Sequence, residues 1–143
     1  MQIGFYFNQS RCIGCYTCVY ACSKHLSNTV NPSKAAVFIK VDRTVANPFT
    51  ILLCRFCTDP ECASACSYNA IQPMLEGGIT LVAPDKCKNE CKTYDCVKSC
   101  QFKALALDPQ NRAPILCDKC GDCAKYCPHD VFSYTENGGD LKY

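Results

Sequence analysis

Hydrophobic and polar positions alternate along this chain only in short bursts. Ala36 to Val41 reads as a strand, and Phe49 to Leu53 as a second that can pair with it across the Asn47–Pro48 turn signal. Gly77–Gly78 precedes another strand, Ile79 to Val82. Leu105 to Leu107 and Pro114 to Leu116 flank Asp108-Pro109-Gln110-Asn111, the pattern of a hairpin. The opening Phe5, Tyr6 and Phe7 read as a first strand facing a core, with partner contact as the alternative. Helices are expected near Thr17 to His25, Ala63 to Ser67, Val97 to Phe102 and Ala124 to Cys127. All are short, so packing must stabilise them. The tail after Phe132, with Asn137-Gly138-Gly139, reads as mobile; a docking strand at Leu141-Lys142-Tyr143 is the alternative. No apolar run reaches the roughly 18 residues of a membrane helix, so no membrane anchor is expected. The first ten residues show no basic stretch followed by an apolar core, so a cytoplasmic location is expected.

Composition changes this picture. Of 143 residues 16 are cysteine, and without them the hydrophobic content is thin for a chain that must bury its own core. The fold must therefore be built around something covalent or coordinated. A formal charge of +2 gives no electrostatic case for nucleic acid. In a reducing compartment, cysteine usage this dense points to metal ligation rather than disulfides.

The cysteines fall into four groups of four with none left over. Cys12, Cys15, Cys18 and Cys22 read C-x2-C-x2-C-x3-C. Cys54, Cys57, Cys62 and Cys66 read C-x2-C-x4-C-x3-C, and Cys87, Cys91, Cys96 and Cys100 read C-x3-C-x4-C-x3-C. Cys117, Cys120, Cys123 and Cys127, followed by Pro128, repeat the first spacing. This last run is the bacterial ferredoxin pattern, in which three cysteines hold one [4Fe–4S] cluster and the fourth reaches another. A loop with a cysteine at every third residue can wrap three corners of a cubane. A fourth cysteine four residues on lies on the same helix face, about 6 Å further along. Structural zinc is disfavoured because its sites use two C-x2–4-C pairs, or one such pair with histidines, and only His25 and His129 exist here.

The spacing is nested: outer, inner, inner, outer. If each group's last cysteine crosses to a group of its own kind, four ligand sets follow. Cys12, Cys15, Cys18 and Cys127 form one, and Cys22, Cys117, Cys120 and Cys123 a second. Cys54, Cys57, Cys62 and Cys100 form a third, and Cys66, Cys87, Cys91 and Cys96 a fourth. Tandem pairing, first group with second and third with fourth, is the alternative.

Other residues admit a functional and a plainer reading. Gly14 and Gly121 suit loops needing φ > 0, or are ordinary turn glycines. Pro128 ends a ligand loop and offers no N–H to sulfur. Lys86, Lys88, Lys92, Lys98 and Lys103, among Asp85, Glu90 and Asp95, read as a solvated face; offsetting cluster charge or facing a partner is the alternative. His25 reads as a surface or helix-end histidine. Tyr16, Tyr20, Tyr68, Tyr94 and Tyr126 lie near ligands and are expected to shield metal from water. No nucleophile triad, phosphate loop or dinucleotide fingerprint appears, so no catalytic residue is assigned.

With the four quartets, Gly4 to Cys18 and Cys54-Arg55-Phe56-Cys57-Thr58-Asp59-Pro60-Glu61-Cys62, the chain resembles the polyferredoxin-type iron–sulfur subunits of molybdenum and tungsten oxidoreductases. These include subunits of the dimethyl-sulfoxide-reductase, formate-dehydrogenase and aldehyde-oxidoreductase families. The resemblance runs from about Gly4 to Phe132 and implies an α+β fold of two ferredoxin-like modules in nested arrangement, each with two [4Fe–4S] clusters. The modules are expected at 1–30 plus 103–143 and at 31–102. It implies a non-catalytic electron-transfer subunit serving a large Mo/W catalytic subunit, with a flavoprotein or hydrogenase as further partner. A free diffusible polyferredoxin is the alternative. In size the chain is similar to small subunits of tungsten aldehyde oxidoreductases and of filamentous CO2 reductases, which brings in self-stacking. Its wide third motif and regular fourth depart from many relatives, which weakens any transfer of subfamily.

Overall fold

The computed structural model describes residues 4–135, as two compact units. The first runs to Leu53 and resumes at Cys117; the second is Cys54–Leu116. Residues 31–53 thus fall in the first unit and 103–116 in the second, the reverse of the sequence reading. The reason is local: the segments on either side of the ligand loops supply the apolar walls around them.

In the first unit, strand β1 (Gly4–Phe7) pairs antiparallel with β8 (Phe132–Thr135), Gly4 opposite Thr135 and Phe7 opposite Phe132. The two extremes of the described chain are therefore held together. The Phe7 and Phe132 rings meet edge to face at 5.8 Å between centroids. β8 overturns the expectation of a mobile tail as far as Thr135, because its ladder partner lies some 130 residues upstream and no local signal marks it. Residues 137–143, which include the alternative docking strand, lie outside the described residues. β2 (Phe38–Val41) pairs with β3 (Phe49–Leu52) across the anticipated turn.

Helix α1 (Thr17–Ser27) is the longest and packs against α5 (Asp122–Tyr126). It ends where Asn28 adopts a left-handed conformation (φ 57°) and returns its N–H to Lys24 O at 3.0 Å. Ser23, fully buried, donates to Tyr20 O and accepts from the Asn31 amide, which ties the helix to the loop after it. Val19, Ala35, Ala36, Val37, Ile39, Ile51 and Leu53 form the buried wall.

In the second unit, β4 (Ile71–Pro73) pairs with β5 (Ile79–Leu81), and β6 (Ala106–Leu107) with β7 (Pro114–Ile115). α2 (Glu61–Ser64) packs against α4 (Asp95–Ser99). Ile71, Ile79, Cys96 and Leu105 form one buried group, and Ala70, Cys87 and Ala113 another. α3 (Pro84–Asn89) and β4 were not anticipated. Pro84 sits in the first helical turn, where a missing N–H costs nothing, but the charged sequence after it shows no apolar period.

Candidate metal centres

Each ligand loop has a left-handed residue that turns the backbone around its thiols: Gly14 and Tyr16, Phe56, Tyr94, then Lys119 and Gly121. Gly14 and Gly121 meet the expected requirement, at φ 72° and 81°. A Cβ on Gly14 would collide with the Phe49 ring, so glycine is needed there for space as well. Tyr16, Phe56, Tyr94 and Lys119 hold the same conformation against their own steric preference, which marks these loops as over-determined by their surroundings.

The folded loops bring thiols together across large sequence separations. Cys12, Cys15, Cys18 and Cys127 line one cavity, walled by Ile39, Ile51, Val131 and Phe132. Cys22 lies one helical turn after Cys18 on α1 and stands with Cys117, Cys120 and Cys123. The exchange is reciprocal, since Cys123 is on α5 and Cys127 at its end. In the second unit Cys54, Cys57, Cys62 and Cys100 line a cavity with Pro60, Ile79 and Leu105. Cys66, Cys91 and Cys96 line another, and Cys87 stands close to Cys66 and Cys91.

Burial raises the pKa of seven of these thiols. It pushes Cys18 up to about 12, with the Cys127 charge adding to it. Cys62, Cys96 and Cys120 rise to about 11, again through burial first. Cys22, Cys87 and Cys123 rise for the same leading reason. Cys15 is exposed and goes the other way, chiefly because the Thr17 hydroxyl donates to its sulfur. Convergent, desolvated thiols cannot all ionise without a cation to neutralise them, so this donor set suits a thiolate-ligated metal.

Groups that the sequence did not single out complete the cradle. The Ala36 amide donates to Cys22 Sγ at 3.3 Å and the Ala104 amide to Cys100 Sγ at 3.4 Å. Gly78 donates its N–H to Cys57 O at 2.9 Å. A Cβ on Gly77, at φ 86°, would sit 2.6 Å from Phe56 O. The glycine pair read from sequence as a strand boundary is thus the lid under which the Cys54–Cys57 loop lies. Tyr94, between Cys91 and Cys96, buries its hydroxyl with no partner among the described residues, at a cost of about 1–3 kcal/mol unless an acceptor is supplied.

Tyr16 and Tyr68 line the cavities, as expected of shielding aromatics. Tyr20 and Tyr126 do not: they are exposed, on the outer faces of α1 and α5, and Lys125 Nζ lies 5.0 Å from the Tyr126 ring centroid. The lysines of the third group are solvated. Lys98 reaches Asp95 at 4.0 Å, while Lys86 and Lys103 donate to the carbonyls of Tyr68 and Lys98. Exposed His25 is bound through Nε2 to Asp118 at 2.6 Å, which raises its pKa.

Comparison with known proteins places this geometry. Residues 5–23 match the 4Fe-4S binding domain. The chain is 27% identical over 90% of its length to the beta subunit of NADH-dependent phenylglyoxylate dehydrogenase of Aromatoleum evansii, covering 29% of that protein. It is 28% identical over 89% of its length to the thiosulfate reductase electron transfer subunit PhsB of Salmonella typhi, covering 72%. It is 36% identical over 68% of its length to the electron transport protein HydN of Escherichia coli, covering 55%. The chain thus spans less than a third of the first of these and about half of the last. Over most of its own length it is similar to proteins named as an electron transfer subunit, a dehydrogenase beta subunit and an electron transport protein. Among the described residues no helix is long and apolar enough to cross a membrane.

Proposed function

We propose that this chain is a non-catalytic electron-transfer subunit holding four [4Fe–4S] clusters, two in each unit, and working beside a molybdenum- or tungsten-containing catalytic subunit. The observation that carries this reading is the convergence of cysteines from separate groups on shared cavities, Cys127 with Cys12, Cys15 and Cys18, and Cys100 with Cys54, Cys57 and Cys62. Cys22, Cys117, Cys120 and Cys123 would hold a third cluster, and Cys66, Cys87, Cys91 and Cys96 a fourth. Each bound cluster would take up and release a single electron.

The protein's own part is to hold and surround. The thiolates supply the ligands. The Ala36 and Ala104 amides donate to two of their sulfurs, which favours added negative charge there. The apolar walls of the cavities keep water from the ligands. The relatives' names support the setting: the thiosulfate reductase subunit is called an electron transfer subunit, and a subunit of that kind needs a catalytic partner.

The test is anaerobic purification of the tagged chain from its own host. Co-elution with a larger molybdenum- or tungsten-containing protein is expected, with bleaching of the chain's visible iron–sulfur absorbance when that protein's substrate is added. A chain that elutes alone and exchanges electrons with many acceptors would instead be a diffusible ferredoxin. What else co-purifies decides whether a flavoprotein, a hydrogenase or a second copy stands at the other end.

A further inference from the structure

The four ligand sets are not equivalent in what surrounds them. Cys15 and Cys120 are exposed, and the other fourteen cysteines are buried or half-buried. At Cys15 a side-chain hydroxyl is directed at the sulfur: Thr17 Oγ1 lies 3.3 Å from Cys15 Sγ. The local backbone arranges this. Tyr16 is left-handed (φ 65°, ψ 8°), so the chain folds back on itself just before α1. Thr17 is the first residue of that helix. A hydroxyl at a helix start commonly caps a backbone N–H. Here Tyr16 occupies the cap position, and Thr17 gives its proton to sulfur instead. The third group has a hydroxyl at a comparable place, but Thr93 Oγ1 donates to Asp95.

We propose that Thr17 sets the reduction potential of the centre held by Cys12, Cys15, Cys18 and Cys127, by donating its hydroxyl to Cys15 Sγ. The inference rests on the reading that these four thiolates carry an iron–sulfur cluster. Addition of one electron puts more negative charge on the cluster and its thiolates. A hydrogen bond to one sulfur stabilises that reduced form more than the oxidised one, and hydrogen bonds to sulfur and solvent exposure are two of the levers on cluster potential. Cys15 is the exposed ligand of this set, so an unassisted sulfur there would depend most on mobile solvent for its donors. Thr17 replaces that solvent with a fixed group, and it remains a donor when a docked partner excludes water. Thr17 is a positioning residue: it makes no contact with a substrate and supplies no ligand.

The experiment uses the full-length, anaerobically purified holoprotein, as wild type, Thr17→Val and Thr17→Ser. Iron and sulfide content is measured first, then each centre is titrated potentiometrically with low-temperature electron paramagnetic resonance as readout. Wild type without iron and sulfide would overturn the cluster reading itself, and the Thr17 proposal with it. With all three proteins fully loaded, Thr17→Val is expected to shift one centre of four about three- to tenfold against reduction, up to ~59 mV for a one-electron couple. Thr17→Ser is expected to restore the wild-type value. Four unmoved potentials in loaded Thr17→Val would overturn the Thr17 proposal and leave the cluster reading standing. So would a shift that serine fails to rescue. Should the valine variant lose iron, loaded Thr17→Ala takes its place: the same shift of one centre is expected, and four unmoved potentials would overturn the proposal.

Discussion

Replacement of Cys127 by alanine is expected to remove one centre of four, so that iron per chain falls by about a quarter, and to spare the centre built on the other cysteines of its own motif. The reason is spatial. Cys127 follows Cys123 in sequence, but it shares its cavity with Cys12, Cys15 and Cys18 and adds its charge to the Cys18 thiol. Pairs of substitutions sharpen the test, because groups acting as one unit are not additive. Adding Cys15→Ala to Cys127→Ala is expected to cost no further centre. Adding Cys91→Ala is expected to cost a second. Tandem pairing would join Cys127 to the third group and reverse the two outcomes. Iron analysis with cluster-type spectroscopy reads both.

Removal of iron is expected to cost the chain its cooperative fold, an effect larger than the ~5–15 kcal/mol that holds an ordinary domain together. Five cysteines, Cys18, Cys22, Cys87, Cys96 and Cys123, occupy buried apolar positions. Four of the five α-helices among the described residues are six residues or shorter, below the length at which a helix persists alone. The ladders are two-stranded and four residues or shorter, marginal without a face to pack on. Metal binding in such a chain is folding energy. Anaerobic chelation should therefore abolish the thermal transition followed by circular dichroism and expose all 16 thiols to a thiol reagent. The pH dependence has a definite sign. In the unfolded, metal-free chain a thiol has its ordinary pKa of about 8.5 and is protonated at neutral pH, and burial as in the fold pushes Cys18, Cys62, Cys96 and Cys120 higher still. Their ligation releases protons, so iron uptake strengthens as pH rises and weakens toward acid. A metal-free chain that still melts cooperatively would contradict this account.

The ligand loops were legible in the sequence because their spacing is a local property. So were α1, the β2–β3 hairpin and the β6–β7 hairpin, each carried by its own periodicity or turn residues. β8 was not, because its partner β1 lies at the other end of the described chain. α3 was not, because a proline followed by charged residues has no apolar stripe to read. Within the centres, the cysteines could be found by counting, but the donors to their sulfurs could not. The Ala36 amide reaches Cys22 across fourteen residues, and any residue but proline could supply that N–H. The left-handed Tyr16, Phe56, Tyr94 and Lys119 are invisible for a related reason. Where surroundings override steric preference, no glycine is left to signal the turn. Gly77 and Gly78 did mark the start of a strand, but not that carbonyls of the Cys54–Cys57 loop lie against them.

The central claim is tested most directly by iron, acid-labile sulfide and zinc per chain in the anaerobically purified protein. The account predicts about 16 iron and 16 sulfide with little zinc, the content of four cubanes on 16 thiolates. About four zinc and no sulfide would contradict it, and would make these convergent thiols tetrathiolate structural sites with no electron to carry.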